Sequence, residues 1–190
     1  VYTYTLTGAD ADVGDTLTMS GTTVPSWLTF TASTGVLTGT PTNDNVGTTG
    51  NEVVLTITDA AGESVTDSFT ITVANTNDAP SFSSSPVLTA QEDDVYTYTA
   101  VGTDMDAGDT FTLASSSIPG WLTFTASSGV LTGTPTNSDV GSHSVTLTVT
   151  DAAGATGTQT FTITVSNAND APTVTSTAVT SATEDSVYTY

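Results

Sequence analysis

The 190-residue chain carries 20 acidic residues, one histidine and no lysine or arginine, for a net charge of −20. So uniform a sign excludes nucleic acid and anionic membrane surfaces as partners, since both demand Lys and Arg on the contact face, and it leaves inorganic cations as the expected counter-ions. With 46 threonines, no cysteine and no apolar run long enough to span a bilayer, the composition predicts a β-rich protein without disulfides, thiol chemistry or membrane insertion, and not a disordered polyanion.

The chain opens on VYTY, an alternating strand pattern that returns at residues 95 and 187. PSWLTFTASTGVLTGTPTN (25–43) returns as PGWLTFTASSGVLTGTPTN (119–137), and TDAAG (58–62) and NTNDAP (75–80) return as TDAAG (150–154) and NANDAP (167–172). A period of 92–94 residues marks tandem whole domains, because a unit of that size buries its own core. Boundaries are expected near 78/79 and 170/171. Residues 1–78 then form a repeat lacking its first strand, 79–170 a complete repeat, and 171–190 the opening strand of a third. Starting and stopping on the same strand, the chain is expected to be an excerpt of a longer protein.

In the second copy the predicted elements run in order. SFSSSPVLTA (81–90) is a first, edge-like strand, VYTYTAVG (95–102) the second and DTFTLAS (109–115) the third. WLTFTAS (121–127) and GVLTGTP (129–135) form a hairpin around Ser127-Ser128-Gly129, and 142–151 and 157–167 a long final hairpin turning at 152–154. Phe161, Ile163 and Val165 alternate with Thr, giving one apolar and one wet face. Seven short strands without helical periodicity predict an all-β fold: tandem antiparallel Greek-key sandwiches. The NxNDAP linkers are short and stiffened by Pro80 and Pro172, so adjacent domains are not expected to tumble freely.

Each copy carries D-x-D-x-x-D after the VYTY strand: Asp10, Asp12, Asp15 and Asp104, Asp106, Asp109. Two unit charges ~4 Å apart repel by roughly 4 kcal/mol at an effective dielectric near 20. Without basic residues, only solvent, protonation or a bound cation relieves that repulsion. A hard divalent cation wanting 6–8 oxygen ligands suits the cluster. The motif is not an EF-hand, because Gly21 and Ser115 stand where the closing Glu belongs. Asp59 and Asp151, the NxND linkers, and Glu92-Asp93 and Glu184-Asp185 extend the acidic set. His143 aligns with Asn51 and is read as a surface residue; Trp27 and Trp121 are read as core; each Tyr pair (Tyr2/Tyr4, Tyr96/Tyr98) is read as one inward and one outward. One unrepeated histidine and no basic residue leave no catalytic triad, so no enzymatic activity is expected.

The PxWLTF…ASxGVLTGTPTN core, the TDAAG corner and the NxNDAP linker resemble the dystroglycan-type cadherin-like (Putative Ig) domains of bacterial surface proteins. The resemblance implies calcium at the junction between successive domains. Carried over, the 1/2 junction takes Asn75, Asn77, Asp78, Asp104, Asp106 and Asp151; the next takes Glu92, Asn167, Asn169 and Asp170; and Asp10, Asp12 and Asp59 form a half-site facing a preceding domain. The acidic pair the family carries after the GVLTGTP strand is reduced to Asp44 or Asp139, and the linkers read NDAP instead of NDNAP. The expected role is a calcium-stiffened repeat of a long extracellular adhesin, biofilm or filament protein. Its expected partners are adjacent repeats, or other copies joined head to tail in a linear fibre. The alternative is a sandwich module that binds polysaccharide, with surface glycans as partners.

Overall fold

The structure, a computed structural model, describes residues 1–190. Thr alternates with apolar residues along β1, β3, β9 and β12 and through much of β5, β14 and β15. The first repeat contains β1 (Tyr2–Thr5), β2 (Thr18–Thr23), β3 (Leu28–Thr31), β4 (Val36–Gly39), β5 (Glu52–Thr58) and β6 (Ser64–Thr70). They form two antiparallel three-stranded sheets, β1-β4-β3 and β2-β5-β6. The second repeat contains β7 (Ser81–Phe82), β8 (Thr89–Gln91), β9 (Tyr96–Thr99), β10 (Gly102–Thr103), β11 (Phe111–Ser117), β12 (Leu122–Thr125), β13 (Val130–Gly133), β14 (Gly141–Asp151) and β15 (Thr156–Ser166). Here the sheets are β12-β13-β9 and β11-β14-β15-β8, with β7 paired to β10.

Each repeat has its own hydrophobic core. Leu6, Leu28, Leu37, Val53, Leu55 and Ile57 fill the first; Leu122, Leu131, Val145, Leu147, Phe161, Ile163 and Val165 dominate the second, together with Tyr96, Tyr98 and Ala100. Burial of each large aliphatic side chain is worth roughly 1.5–3 kcal/mol. Outside, threonine hydroxyls pair across strands, as in Thr97–Thr132 and Thr146–Thr160. Glycine is required at two places in the repeated GVLTG segment. Gly129 turns the β12–β13 hairpin at φ 69°, and a Cβ on Gly133 would lie 1.9 Å from the Trp121 carbonyl oxygen.

The opening strand differs from the expectation. It is not one antiparallel edge strand over 81–90 but two short pieces in different sheets. β7 pairs antiparallel with β10, and β8 pairs parallel with β15. Pro86, between the pieces, has no N–H to offer a ladder, so the chain crosses from one sheet to the other there. The second strand is likewise divided: Tyr96–Thr99 pairs with β13, a pairing prolonged by the Ala100 N–H to the Gly129 carbonyl at 2.8 Å, whereas Gly102–Thr103 pairs with β7.

Three side-chain expectations are also corrected. Tyr96 and Tyr98 both point inward, each only 4% exposed, because residues two apart on a strand share a face. Burial, with a smaller contribution from Tyr98, pushes the Tyr96 phenol up to about 12. Tyr2 and Tyr4 are both half-buried. His143 is no plain surface residue: it is half-buried, with its ring edge-on to Trp121 at 5.9 Å and Nε2 against the Asp139 carbonyl. The tryptophans do pack against the cores, in T-shaped pairs with Tyr2 and Tyr96.

Candidate metal centre at the repeat junction

The D-x-D-x-x-D segment folds as a tight acidic loop. Asp104 accepts the Asp106 N–H at 2.9 Å, and the Asp109 N–H reaches the Asp106 carbonyl at 3.1 Å. This winding turns the three carboxylates toward one point, with one oxygen of each lying within 4.8 Å of the others. Asp106 is only 6% exposed, and one of its oxygens accepts the Asp78 N–H from the linker at 2.7 Å. Its other oxygen is buried without a hydrogen-bond donor, as is one oxygen of Asp104. A buried carboxylate oxygen without a partner is costly, and no basic side chain exists in the chain to compensate.

The linker is tied on both sides of this loop. The Asn77 amide donates to Asp151 at 2.8 Å. Toward the first repeat, the Asn43 amide donates to the Asp78 carboxylate at 2.6 Å. Asp151 is held below the ordinary carboxylate range, first by the Asn77 hydrogen bond, against the opposing effect of burial, and further by N–H groups of the 153–155 turn. A depressed carboxylate contributes stability above its unfolded pKa, and that stability is lost as pH falls through the folded value. Asn77→Ala is therefore expected to move the Asp151 titration upward, toward the ordinary carboxylate range near 3.8, while leaving Asp139 in place. A carbon-detected NMR pH titration measures this, and an unmoved Asp151 would refute the linker contact.

A second cluster joins Glu92, Asp93 and Asp170 at the far end of the second repeat, again with oxygens within 4.8 Å. Glu92 is 1% exposed; one oxygen accepts the Ala168 N–H at 3.2 Å and the other is buried without a partner. Asp93 sits at φ 64° and presents its carboxylate from the turn before β9. The Asn137 amide donates to Asp170, repeating the Asn43–Asp78 contact. A third cluster, Asp10, Asp15 and Asp59, lies at the open end of the first repeat.

The structure therefore brings Asn77, Asp78 and Asp151 to the linker beside the Asp104–Asp106 loop, brings Glu92 to Asp170, and brings Asp10 to Asp59. Asn75 and Asp12 are exposed and outside these groups. The amides of Asn167 and Asn169 turn back onto the carbonyls of Ala168 and Asp170. Asp15, Asp109 and Asp93, members of the acidic set in the sequence but absent from the junction ligands that the family resemblance implies, join the clusters. Asp109 and Asp15 were legible as the third residue of the motif. Asp139 does not substitute for the family's missing acidic pair. It caps its own 3-10 turn by accepting from the Thr136 N–H and hydroxyl, which hold it below the ordinary carboxylate range, and Asp44 is exposed. The residue that does reach the linker is the preceding Asn of TPTN, Asn43 or Asn137.

A sandwich whose first strand is shared between sheets, with carboxylates gathered at the inter-repeat linker, can be compared with known proteins. The family described as Putative Ig domain matches the chain twice, over residues 1–74 and 79–166. The chain belongs to that family. Among curated proteins it is 32% identical over 154 residues to the "Serine-rich adhesin for platelets" of Staphylococcus aureus, covering 78% of this chain but 6% of that protein. It thus spans a small fraction of that relative's length. Among solved structures, Drosophila N-cadherin EC1-4 aligns with TM-score 0.54 at 16% identity, covering 85% of this chain and 44% of that one. Mouse Cadherin-23 EC22-24 aligns with TM-score 0.53 at 19% identity, covering 80% and 53%. At such identities the cadherins establish the fold alone. No helix is long and apolar enough to cross a membrane.

Proposed function

We propose that this chain is a pair of spacer repeats, with boundaries near 78/79 and 170/171, in an extracellular adhesin-like protein of the dystroglycan-type cadherin-like kind, and that calcium fixes successive repeats end to end. One observation carries the reading. Asp106 is buried at the junction with one oxygen tied to the linker and the other unpartnered, facing Asp104 and Asp109 in a chain with no basic residue. Oxygen donors alone, at least three of them carboxylates, fit a hard cation of 6–8 coordination. Asp104, Asp106 and Asp109 would hold the ion, with Asp78, Asn77 and Asp151 arranged around it; Glu92, Asp93 and Asp170 would hold a second, and Asp10, Asp15 and Asp59 a third. The ion would neutralise charge on both sides of the linker and fix its direction. The adhesin relative supports an extracellular, adhesive setting. A polysaccharide-binding reading is less well supported, because both tryptophans are engaged edge-to-face with core tyrosines instead of forming an exposed stacking platform.

Calorimetric titration of the chelator-treated chain with calcium chloride tests this, with small-angle scattering in parallel. Saturable binding with a narrower distribution of inter-repeat distances is expected. No heat and unchanged scattering at millimolar calcium would refute it.

A further inference from the structure

The three carboxylates of the Glu92 cluster are set by three separate ties. The Ala168 N–H reaches Glu92 at 3.2 Å, and the Asp93 N–H is fixed on the Pro135 carbonyl at 2.9 Å. Asp170 accepts the side-chain amide of Asn137. Two of the three ties thus come from one segment, residues 135–137. Pro135 is fully buried. The 3-10 turn Asn137–Asp139 that follows is closed by Asp139 on the Thr136 N–H at 2.9 Å and braced by His143 against the Asp139 carbonyl.

The first repeat builds the same device from partly different residues. Its turn Asn43–Asn45 is closed by the Asn45 side-chain oxygen on the Thr42 N–H at 2.8 Å, and Asn51 braces it at the Asn45 carbonyl at 2.7 Å. Asn43 donates to the Asp78 carboxylate at 2.6 Å, and the Asp78 N–H donates onward to Asp106 at 2.7 Å. Asn45 and Asn51 of one repeat are Asp139 and His143 in the other, yet the residue that reaches the linker is asparagine in both.

We propose that Asn43 and Asn137 are positioning residues of the linker cation sites, each holding a linker carboxylate, Asp78 or Asp170, ready for an ion without neutralising it. The role rests on the calcium reading. At the second cluster that reading is carried by Glu92, which is 1% exposed and keeps one oxygen that no donor reaches, in a chain without a basic side chain. The side-chain type at position 137 then decides how well an ion is received. A lysine or arginine there would cancel one of the three negative charges and compete with the ion. An aspartate would repel Asp170 until an ion arrived, and an alanine would release the carboxylate to water. The amide donates a hydrogen bond and leaves all three charges in place, which suits a divalent cation. Hydrogen bonds of this kind, one step removed from the ion, orient its ligands.

The test is an NMR calcium titration of the whole chain, starting in chelator. The amides of Asp93 and Ala168 report on the Glu92 cluster, and those of Asp106 and Asp109 on the Asp104 loop. Asn137→Ala is expected to weaken calcium binding at the Glu92 cluster about tenfold and to leave the Asp104 loop as in the parent. Asn137→Asp keeps the size of the side chain and adds a fourth carboxylate. It is expected to raise the ratio of terbium to calcium affinity at that cluster roughly tenfold, because a further negative charge favours the ion of higher charge. A role confined to shaping the turn would leave that ratio where it was. Equal calcium affinity of the Glu92 cluster in the parent and Asn137→Ala, or an unmoved terbium-to-calcium ratio in Asn137→Asp, would overturn the positioning role and leave the calcium reading standing. A parent protein whose two clusters both ignore calcium would remove the reading and the role together.

Discussion

Asparagine in place of Asp106 is expected to raise the melting temperature of the calcium-free protein and to abolish most of the rise that calcium brings. The two effects have opposite signs and one cause. Without an ion, Asp106 holds a negative charge in a nearly closed site between Asp104 and Asp109. Asparagine keeps an oxygen for the Asp78 N–H and places an N–H₂ where the unpartnered oxygen stands, aimed at two carboxylates. An ion that binds only the folded chain stabilises by RT ln(1 + [L]/Kd), roughly 2.7 kcal/mol at a hundredfold excess over Kd. For a domain of this size each kcal/mol moves the midpoint by about 4–8 °C. The calcium-dependent shift of the parent protein should therefore be about 10–20 °C, and it should shrink to a small remainder in Asp106→Asn. Differential scanning calorimetry with and without chelator measures both. A variant that melts lower than the parent in chelator, and responds to calcium as the parent does, would remove Asp106 from the ion site.

The second large effect is expected at Asn51, far from any ion. Its side chain is 1% exposed and serves three groups at once. It accepts the Trp27 indole N–H at 2.8 Å and donates to the carbonyls of Asn45 at 2.7 Å and Gly47 at 3.1 Å. Alanine would leave the indole N–H and the Asn45 carbonyl, both on half-buried residues, without these partners, while Gly47 keeps the Val73 N–H. At about 1–3 kcal/mol for each group left unmet, Asn51→Ala should destabilise the first repeat by about 3 kcal/mol, a fall of roughly 15 °C. The second repeat carries the converse. There His143 occupies the equivalent position and the Trp121 indole N–H is buried without an acceptor. His143→Asn should accordingly stabilise the second repeat. Thermal melts resolved by repeat decide the matter, and an unchanged melt for Asn51→Ala would mean that water takes over all of the amide's contacts.

These two sites mark the limits of what the sequence makes legible. The sandwich class and the strand order follow from period-2 alternation and turn residues, which are local. The acidic loop is legible because its carboxylates lie within six residues of one another. What local reasoning misses is set by contacts across the chain. Nothing near Asn43 or Asn137 announces that its amide will meet Asp78 or Asp170, 35 and 33 positions away. The division of 81–91 between two sheets depends on which distant strands its two pieces meet, β10 in one case and β15 in the other. Asn51 reads as a turn residue until the fold closes Trp27 over it. The Tyr pairs, by contrast, obey a local rule, since residues two apart on a strand share a face.

The parallel pairing of β8 with β15 also has a mechanical meaning. Thr89, Ala90 and Gln91 run alongside Thr164, Val165 and Ser166, and backbone bonds from Glu92 to Ser166 and from Thr164 to Leu88 extend the seam. β7 and then β8 follow the linker that enters the second repeat, and β15 leads into the linker that leaves it. Tension on the two linkers pulls these strands in opposite directions along their length. The bonds between them then lie across the load and must yield together in shear, whereas strands joined head to head would peel apart one bond at a time. The same seam ends at Glu92, so the point where force enters the sheet is also the edge of the acidic cluster.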